Sequence, residues 1–175
     1  ESQVGKIDKS LVNIFDNDSS FEIGEIGVKP FSIPHDAADP VGYSFMCGDE
    51  KVAVATDIGE LKKDLFEAIR GSKTVLLESN HDVNMLEIGK YPPQLKRRIR
   101  GKLGHLSNDD AGRAAEFLVR LGTERIILGH LSEENNYPEL ARQTVICVLN
   151  DAGIKCGRDV LLGVALPQQT VSLCG

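Results

Sequence analysis

Apolar and polar residues alternate with a period of two through the first third of the chain, a pattern typical of half-buried β-strands. Stretches rich in turn-forming residues, at 16–20 and 35–42, interrupt this alternation. The pattern predicts five strands, which are LVNIF at 11–15, FEIG at 21–24, IGVKPFSI at 26–33, GYSFMC at 42–47 and KVAVAT at 51–56.

After residue 59 the apolar spacing lengthens to the period of an amphipathic helix. In the segment 60–71 the residues Leu61, Leu65 and Ile69 are four apart, and Gly71 is a stop signal. A capping-box-like opening begins a later helix at Ser107, three residues before an aspartate. The whole pattern predicts helices at 60–71, 107–122 and 137–153, and strands at 74–79, 124–131, 158–166 and 169–173. This order predicts one α/β domain over residues 1–175, with helices on at least one face of a sheet.

The composition is that of an ordinary folded domain, since the 175 residues are 41% hydrophobic and 26% charged. The apolar runs are much shorter than a membrane span, and the first residues do not resemble an export signal. We therefore expect a cytoplasmic protein without a membrane partner. The cysteines lack the spacing of a zinc site, and Cys147 lies in an apolar helical pattern that predicts burial.

The net charge of −6 argues against a protein that binds nucleic acid through a broadly basic surface. It leaves open a nuclease that holds phosphates through metal ions. The basic cluster KRRIRGK at 96–102 has two interpretations, the solvated end of a helix or a patch that contacts phosphate. Neither a glycine-rich nucleotide loop nor a GxSxG nucleophile elbow occurs in the sequence.

Every histidine follows a predicted strand or a turn, and two of them lie in the two copies of the tetrapeptide GHLS. The four are His35, His81, His105 and His130. Asp57 and Glu78 also stand at strand ends, where ligands and metals collect in α/β sheets. Imidazole combined with carboxylate is a common ligand set for zinc or manganese. Taken singly, each histidine is more simply a hydrogen-bonded surface residue, Asp57 a helix cap, and Glu78 a solvated strand end.

Five short segments, in this order, resemble the metallo-β-lactamase-fold hydrolases, and in particular the bacterial YycJ (WalJ) branch with its tRNA 3′-processing and phosphodiesterase relatives. The segments are HDAADPVGY, VATDIG, ESNHD, GHLSN and LGHLSEENN, all within residues 30–141. The resemblance implies an αββα sandwich, of which this chain would form the C-terminal two thirds. It also implies two divalent ions in a complete site, either zinc or manganese, with iron as an alternative.

The resemblance assigns roles to the matching residues, and the basic cluster adds two candidates for phosphate contact. The implied metal ligands are His35, Asp57 and His130, with Asp57 between the two ions. The implied catalytic residues are His105, as proton donor to the leaving oxygen, together with Asp57 and Glu78. The candidates for substrate contact are His81, Asp82, Arg97 and Arg98.

The chain departs from this family in one large respect, because the signature His-x-His-x-Asp-His does not occur in the sequence. That motif supplies most ligands of both ions. We therefore expect an N-terminally truncated domain with three remaining ligands and a weakened metal site. We also expect an apolar sheet face that a second copy of the chain would cover.

The leading functional hypothesis is a metal-dependent hydrolase of phosphodiesters, acting as an exonuclease on DNA. Two alternatives from other classes remain open, because fold resemblance alone does not choose among them. One is a catalytically inactive chain that acts as a binding or assembly module. The other is a hydrolase of the same fold that acts on a thioester, a lactone or a β-lactam.

Overall fold

The computed structural model describes residue 5 and residues 7–17 and 19–173, and its centre is one seven-stranded sheet. The remainder of the predicted domain 1–175, residues 1–4, 6, 18 and 174–175, lies outside the described residues. The strands lie side by side in chain order. They are β1 (Phe21–Ile23), β2 (Ile26–Ser32), β3 (Val41–Cys47), β4 (Glu50–Ala55), β5 (Thr74–Glu78), β6 (Arg125–Gly129) and β7 (Leu161–Val164).

The directions of the strands decide which connecting loops meet. Strands β1 to β4 pair antiparallel, whereas β4 to β7 pair parallel. Because two antiparallel steps separate β2 from β4, β2 runs in the same direction as β4, β5, β6 and β7. The carboxyl ends of these five strands therefore meet at one edge of the sheet, which is where α/β proteins bind ligands.

Helices form the crossovers that parallel strands require. They are α1 (Lys63–Ile69), α2 (Val83–Ile88), α3 (Pro93–Ile99), α4 (Asn108–Arg120) and α5 (Pro138–Asp151). The three predicted helices are confirmed as α1, α4 and α5, and Ser107 caps α4 by accepting a hydrogen bond from Asp110 N at 3.1 Å. The prediction lacks α2 and α3, although α3, with seven residues, is as long as α1. Within the described part of the chain, every helix is too short or too polar to cross a membrane.

The hydrophobic core lies on the face of the sheet that the helices cover. Ala53, Val75 and Ile126 are adjacent in register across β4, β5 and β6, and all three are fully buried. The helices contribute small and branched side chains to the same core, namely Leu65, Ile69, Ala111, Ala114, Leu118, Ala141, Val145 and Leu149. This packing fixes α4 and α5 against the strands whose ends carry the candidate site.

The opposite face of the sheet carries a second apolar row that is only half-buried. The row runs across β3, β4, β5 and β6 as Tyr43, Val54, Leu76 and Ile127. Phe15 covers part of it, since its ring lies 4.8 Å from the ring of Phe21 and 6.4 Å from that of Tyr43, between centroids. The expectation that a second copy of the chain covers this face stays a prediction.

Two predicted strands are wrong. The segment 11–15 contains the end of a short 3-10 helix (Lys9–Leu11) and then an irregular stretch, in which Ile14 is 94% exposed. The segment 169–173 forms only a single bridge, between Leu166 and Gln169. Both segments carry alternating apolar residues, but neither pairs along a neighbouring strand. A strand depends on its partner for hydrogen bonds, and a local pattern does not reveal that partner.

Two smaller predictions on the helices are also wrong. The first helix begins at Lys63 rather than at residue 60, and its side chains leave the N-terminus without a capping hydrogen bond. Cys147 is exposed rather than buried. It lies two residues from the buried Val145, and two residues along a helix lead to the opposite side.

Helices α4 and α5 approach closely at Gly112, and we expect Gly112→Ala to destabilise the protein. A Cβ atom there would lie 2.8 Å from Cβ of Val148, so the helices must separate. Overpacking of this kind lowers the free energy of unfolding by about 1 to 3 kcal/mol, which outweighs the roughly 1 kcal/mol gain in helix propensity. Urea denaturation measures the change.

The matched control is Gly27→Ala, because a Cβ atom at Gly27 would make only ordinary contacts of 3.8 Å with Met46. In a double-mutant cycle with Val148→Ala, the loss in the double variant should be smaller than the sum of the single losses. Additive losses would show that the close approach does not limit the packing of the two helices.

Candidate active site

Two residues of the candidate site adopt a left-handed backbone conformation, which residues other than glycine rarely adopt. Asp57 follows β4 with a φ of 60°, and His130 follows β6 with a φ of 56°. Among the described residues they are the only non-glycine residues with positive φ. Such a conformation is unfavourable by about 1 to 2 kcal/mol, and it concentrates at functional sites. Both residues lie at the carboxyl edge of the sheet, beside the end of β5.

The carboxylate of Glu78, the last residue of β5, is the centre of the hydrogen bonding at this edge. Its side chain is fully buried. One oxygen, Oε2, accepts hydrogen bonds from the backbone N–H groups of Ile58 at 2.7 Å and Leu106 at 3.2 Å. The other, Oε1, lies 2.8 Å from Nδ1 of His105 and 2.6 Å from Nδ1 of His130. The interpretation of Glu78 as a solvated strand end is therefore wrong.

The hydrogen bonds at Glu78 decide its charge. Burial alone raises the pKa of this carboxyl, but the hydrogen bonds from His105 and His130 outweigh burial and hold the pKa below its usual value. The same contact raises the pKa of His130, against the opposing effect of its partial burial. Glu78 is thus an ionised carboxylate at neutral pH. Since a carboxylate only accepts, both imidazoles donate from Nδ1, and in the neutral ring Nε2 carries the free lone pair.

His35 is oriented by a backbone carbonyl rather than by Glu78, and its Nε2 is likewise left free. Its Nδ1 donates to the backbone carbonyl of Gly104 at 3.1 Å, which leaves Nε2 as the atom near Asp57, 3.7 Å from Oδ1. Gly104 is needed at this position, because a Cβ atom there would overlap the carbonyl oxygens of Arg98 and Ile99. Histidine ligands of metals commonly donate their other nitrogen to a carbonyl or a carboxylate in this way.

The side chains around Asp57 fit a divalent cation. Asp57 Oδ1 lies 3.7 Å from His35 Nε2, an atom with a free lone pair for a cation. Nδ1 of His105 and Nδ1 of His130 lie 3.7 and 3.6 Å from the same oxygen, too far for hydrogen bonds, and both donate to Glu78, so only Nε2 of these two rings is free for a cation. Asp57, Glu78, His105 and His130 also offer ligand atoms that all lie within 4.8 Å of one another. Because both oxygens of Glu78 already accept hydrogen bonds, Glu78 fits an orienting role better than that of a ligand. The interpretation of Asp57 as a cap of α1 is wrong, since the cap position is Lys62.

These residues open onto a cleft of about 550 Å³. Its walls include His35, Asp57, His105 and His130 together with Arg98. Arg98 Nε and Nη2 donate to the two carboxylate oxygens of Asp36 at 2.5 and 2.8 Å, and this contact holds the pKa of Asp36 below its usual value. The basic cluster therefore faces the candidate site through at least one of its arginines.

The other predicted substrate contacts lie elsewhere around the site. Arg97 is exposed on α3, and the described cleft wall does not include it. Asp82 caps α2 by accepting a hydrogen bond from Met85 N at 2.8 Å. His81 is almost fully buried, and burial lowers its pKa. Their contacts with a substrate stay predictions.

A buried network of polar side chains, which the sequence did not single out, supports the site from behind. Ser79 Oγ donates to Asn108 Oδ1 at 2.7 Å, and Asn136 Nδ2 donates to the backbone carbonyls of Ser79 and Asn80 at 2.9 and 3.0 Å. Asn80 in turn donates from Nδ2 to the carbonyl of His130 at 2.9 Å. The sequence did contain a signal for this network, because asparagines accompany the histidine motifs in ESNHD, GHLSN and SEENN.

The fold and the site define an α/β protein with a candidate metal centre at the carboxyl edge of its sheet. The sequence pattern of the Beta-lactamase superfamily domain matches residues 3–131. The chain belongs to this superfamily, which confirms the predicted resemblance.

Two curated relatives match most of the chain. They are an exodeoxyribonuclease YycJ from Bacillus anthracis, 39% identical over 157 residues, and an exodeoxyribonuclease WalJ from Streptococcus pneumoniae serotype 2, 38% identical over 156 residues. The alignments cover 90% and 89% of this chain but only 60% and 58% of the relatives. The chain thus spans about three fifths of the length of the curated relatives it matches.

A solved structure supports the fold. The metallo-β-lactamase fold protein YhfI from Bacillus subtilis aligns with a TM-score of 0.59 over 86% of this chain and 51% of that chain, at 14% identity. The predicted α/β fold of the metallo-β-lactamase type is confirmed.

We expect Glu78→Gln to lower the free energy of unfolding by about 2 to 4 kcal/mol. The amide keeps the shape of the side chain, but its NH₂ group would meet N–H donors where the carboxylate accepts four hydrogen bonds. Urea denaturation at neutral pH measures the loss. The control is Glu22→Gln, an exposed position on β1. Equal stability of the Glu78 variant and the control would contradict the orienting role of the buried charge.

Proposed function

We propose that the protein is a metal-dependent phosphodiesterase that degrades DNA as an exonuclease. The observation that carries this proposal is the oxygen of Glu78 shared by His105 and His130 beside the carboxylate of Asp57. The names of the two curated relatives favour DNA as the substrate. Since the chain spans three fifths of their length, the proposal concerns the full-length protein.

The residues that would hold the divalent metal are His35, Asp57 and His130. The orientation of His35 and His130 supports this choice, because each donates from Nδ1 to another group and keeps Nε2 for a cation. Imidazole and carboxylate ligands suit zinc, manganese or iron. Divalent ions held there would polarise the scissile phosphate and lower the pKa of bound water.

The proposed proton donor to the leaving oxygen is His105. Glu78 accepts from Nδ1 of His105 at 2.8 Å, so Nε2 is the atom left to face a substrate. As a general acid, His105 would act in its doubly protonated form, in which Nε2 carries the proton to be transferred. Arg98 lines the same cleft as an ion pair with Asp36, and the remaining N–H groups of its guanidinium are donors for the phosphate. The roles of His81, Asp82 and Arg97, and a location in the cytoplasm, stay predictions.

A panel of substrates tests the reaction class. The full-length protein, with zinc or manganese added, should release nucleotides from DNA ends and leave a thioester, a lactone and a β-lactam intact. Hydrolysis of one of the latter without DNA cleavage would favour the second hydrolase hypothesis. A protein that binds metal but cleaves none of them would favour the binding module.

We expect Asp57→Asn to weaken metal binding by more than about 100-fold. Loss of a residue that only hydrogen-bonds to a metal ligand already reduces the affinity about 10- to 100-fold, and Asp57 is a proposed ligand itself. Calorimetric titration of the full-length protein with zinc or manganese measures the affinity. The control is Asp49→Asn in the β3–β4 hairpin, at the opposite edge of the sheet. Unchanged affinity in the Asp57 variant would exclude Asp57 as a ligand.

We expect His105→Ala to lower kcat on DNA by about 10²- to 10⁴-fold without changing metal content. A substrate whose leaving group needs no proton separates this role from a structural one. On thymidine 5′-(4-nitrophenyl) phosphate the loss should be small, because nitrophenolate leaves unprotonated. An equal loss on both substrates would contradict the proton-donor role.

A further inference from the structure

An apolar cavity of about 590 Å³ adjoins the candidate active site. We define this side pocket by six residues, Leu131, Ser132, Tyr137, Pro138, Leu166 and Pro167. It shares His130, Leu131, Ser132 and Glu133 with the cleft, so a molecule bound at the metal centre has a direct path into it. Its size lies within the range of small-molecule sites.

The lining of the side pocket suits a flat, uncharged ring. Half of the ten lining residues are aliphatic or proline, and the described lining contains neither lysine nor arginine. Tyr137 is 49% exposed, although an aromatic side chain ordinarily contributes to a core. An exposed aromatic ring beside apolar walls is a stacking surface for any of the nucleobases, because each base has a π-face. Phosphates instead belong in the cleft, with Asp57, the histidines and Arg98.

The side pocket is held at a fixed position relative to the metal centre. The N–H of Tyr137 donates to Oδ1 of the buried Asn136 at 3.0 Å. Asn136 also binds the carbonyl of Asn80, whose side chain donates to the carbonyl of His130. One buried network therefore joins the backbone of Tyr137 to the backbone of His130, a proposed metal ligand.

We infer that the side pocket binds the terminal nucleobase of the DNA strand while the adjoining phosphate occupies the cleft. This inference rests on the proposed function and adds a subsite to it. The base stacks on Tyr137 between the apolar walls, and the sugar lies near Ser132 and Glu133. Binding of the end base positions the terminal phosphodiester, which is what an exonuclease requires.

Binding of 2-aminopurine deoxynucleoside 5′-monophosphate to the full-length protein tests the pocket directly, because stacking quenches the fluorescence of this base. We expect quenching by the wild type and a roughly 5- to 150-fold weaker affinity for Tyr137→Ala. Tyr137→Phe should bind like the wild type. The control is Ile88→Ala, an exposed apolar residue on α2 outside the pocket.

A wild type that does not quench would overturn the inference, as would Tyr137→Ala that binds equally well.

Cleavage of DNA with a base-free terminal residue, tested at each end, separates this inference from the proposed function. We expect the missing base to raise KM for the wild type and to leave KM of Tyr137→Ala unchanged. If the wild type cleaves DNA with the same KM whether or not the terminal base is present, the base-binding inference is wrong and the proposed nuclease function still stands. Nucleotide binding that depends on Tyr137, in a protein that cleaves no DNA, would support the pocket and overturn the proposed function.

Discussion

A buried negative charge determines the arrangement of the candidate site. Glu78 has no contact with solvent, and an ionised carboxylate is tolerated there only if hydrogen bonds replace water. Those hydrogen bonds come from three segments that are distant in sequence: the loop after β4, the loop before α4 and the loop after β6. Each must bring N–H groups to the same two oxygen atoms. The requirement to neutralise one charge therefore brings together Asp57, His105 and His130.

The topology of the sheet allows these loops to meet at one place. Parallel pairing from β4 to β7, with β2 in the same direction, puts five carboxyl ends at one edge. The asparagine network then fixes the loops from behind, through Ser79, Asn80, Asn108 and Asn136. Because the network also binds the backbone of Tyr137, the cleft and the side pocket share one hydrogen-bonded support. A fixed distance between two subsites is the property that a positioned substrate needs.

The two copies of GHLS show how one tetrapeptide serves two structural purposes. In the first copy, Ser107 caps α4 and His105 follows a glycine that makes close backbone contact with α3. In the second copy, His130 adopts a positive φ, and Ser132 donates its N–H to the carbonyl of Asn80 at 2.8 Å. The local structures differ, yet both histidines reach the same oxygen of Glu78. The two identical tetrapeptides therefore reflect a common contact with Glu78 rather than an internal repeat of the fold.

The sequence by itself determined the element types wherever a periodic pattern was long. It predicted β1 to β7 and the helices α1, α4 and α5, and it predicted that the candidate functional residues lie at strand ends. It failed at 11–15 and 169–173, because a strand depends on a partner that no local pattern reveals.

Through the family resemblance the sequence also assigned His35, Asp57 and His130 to one site. Only the tertiary structure decided that Glu78 is buried rather than solvated and that Tyr137 borders the site. Those outcomes depend on contacts between residues 20 to 60 positions apart, and such contacts exist only once the sheet has assembled.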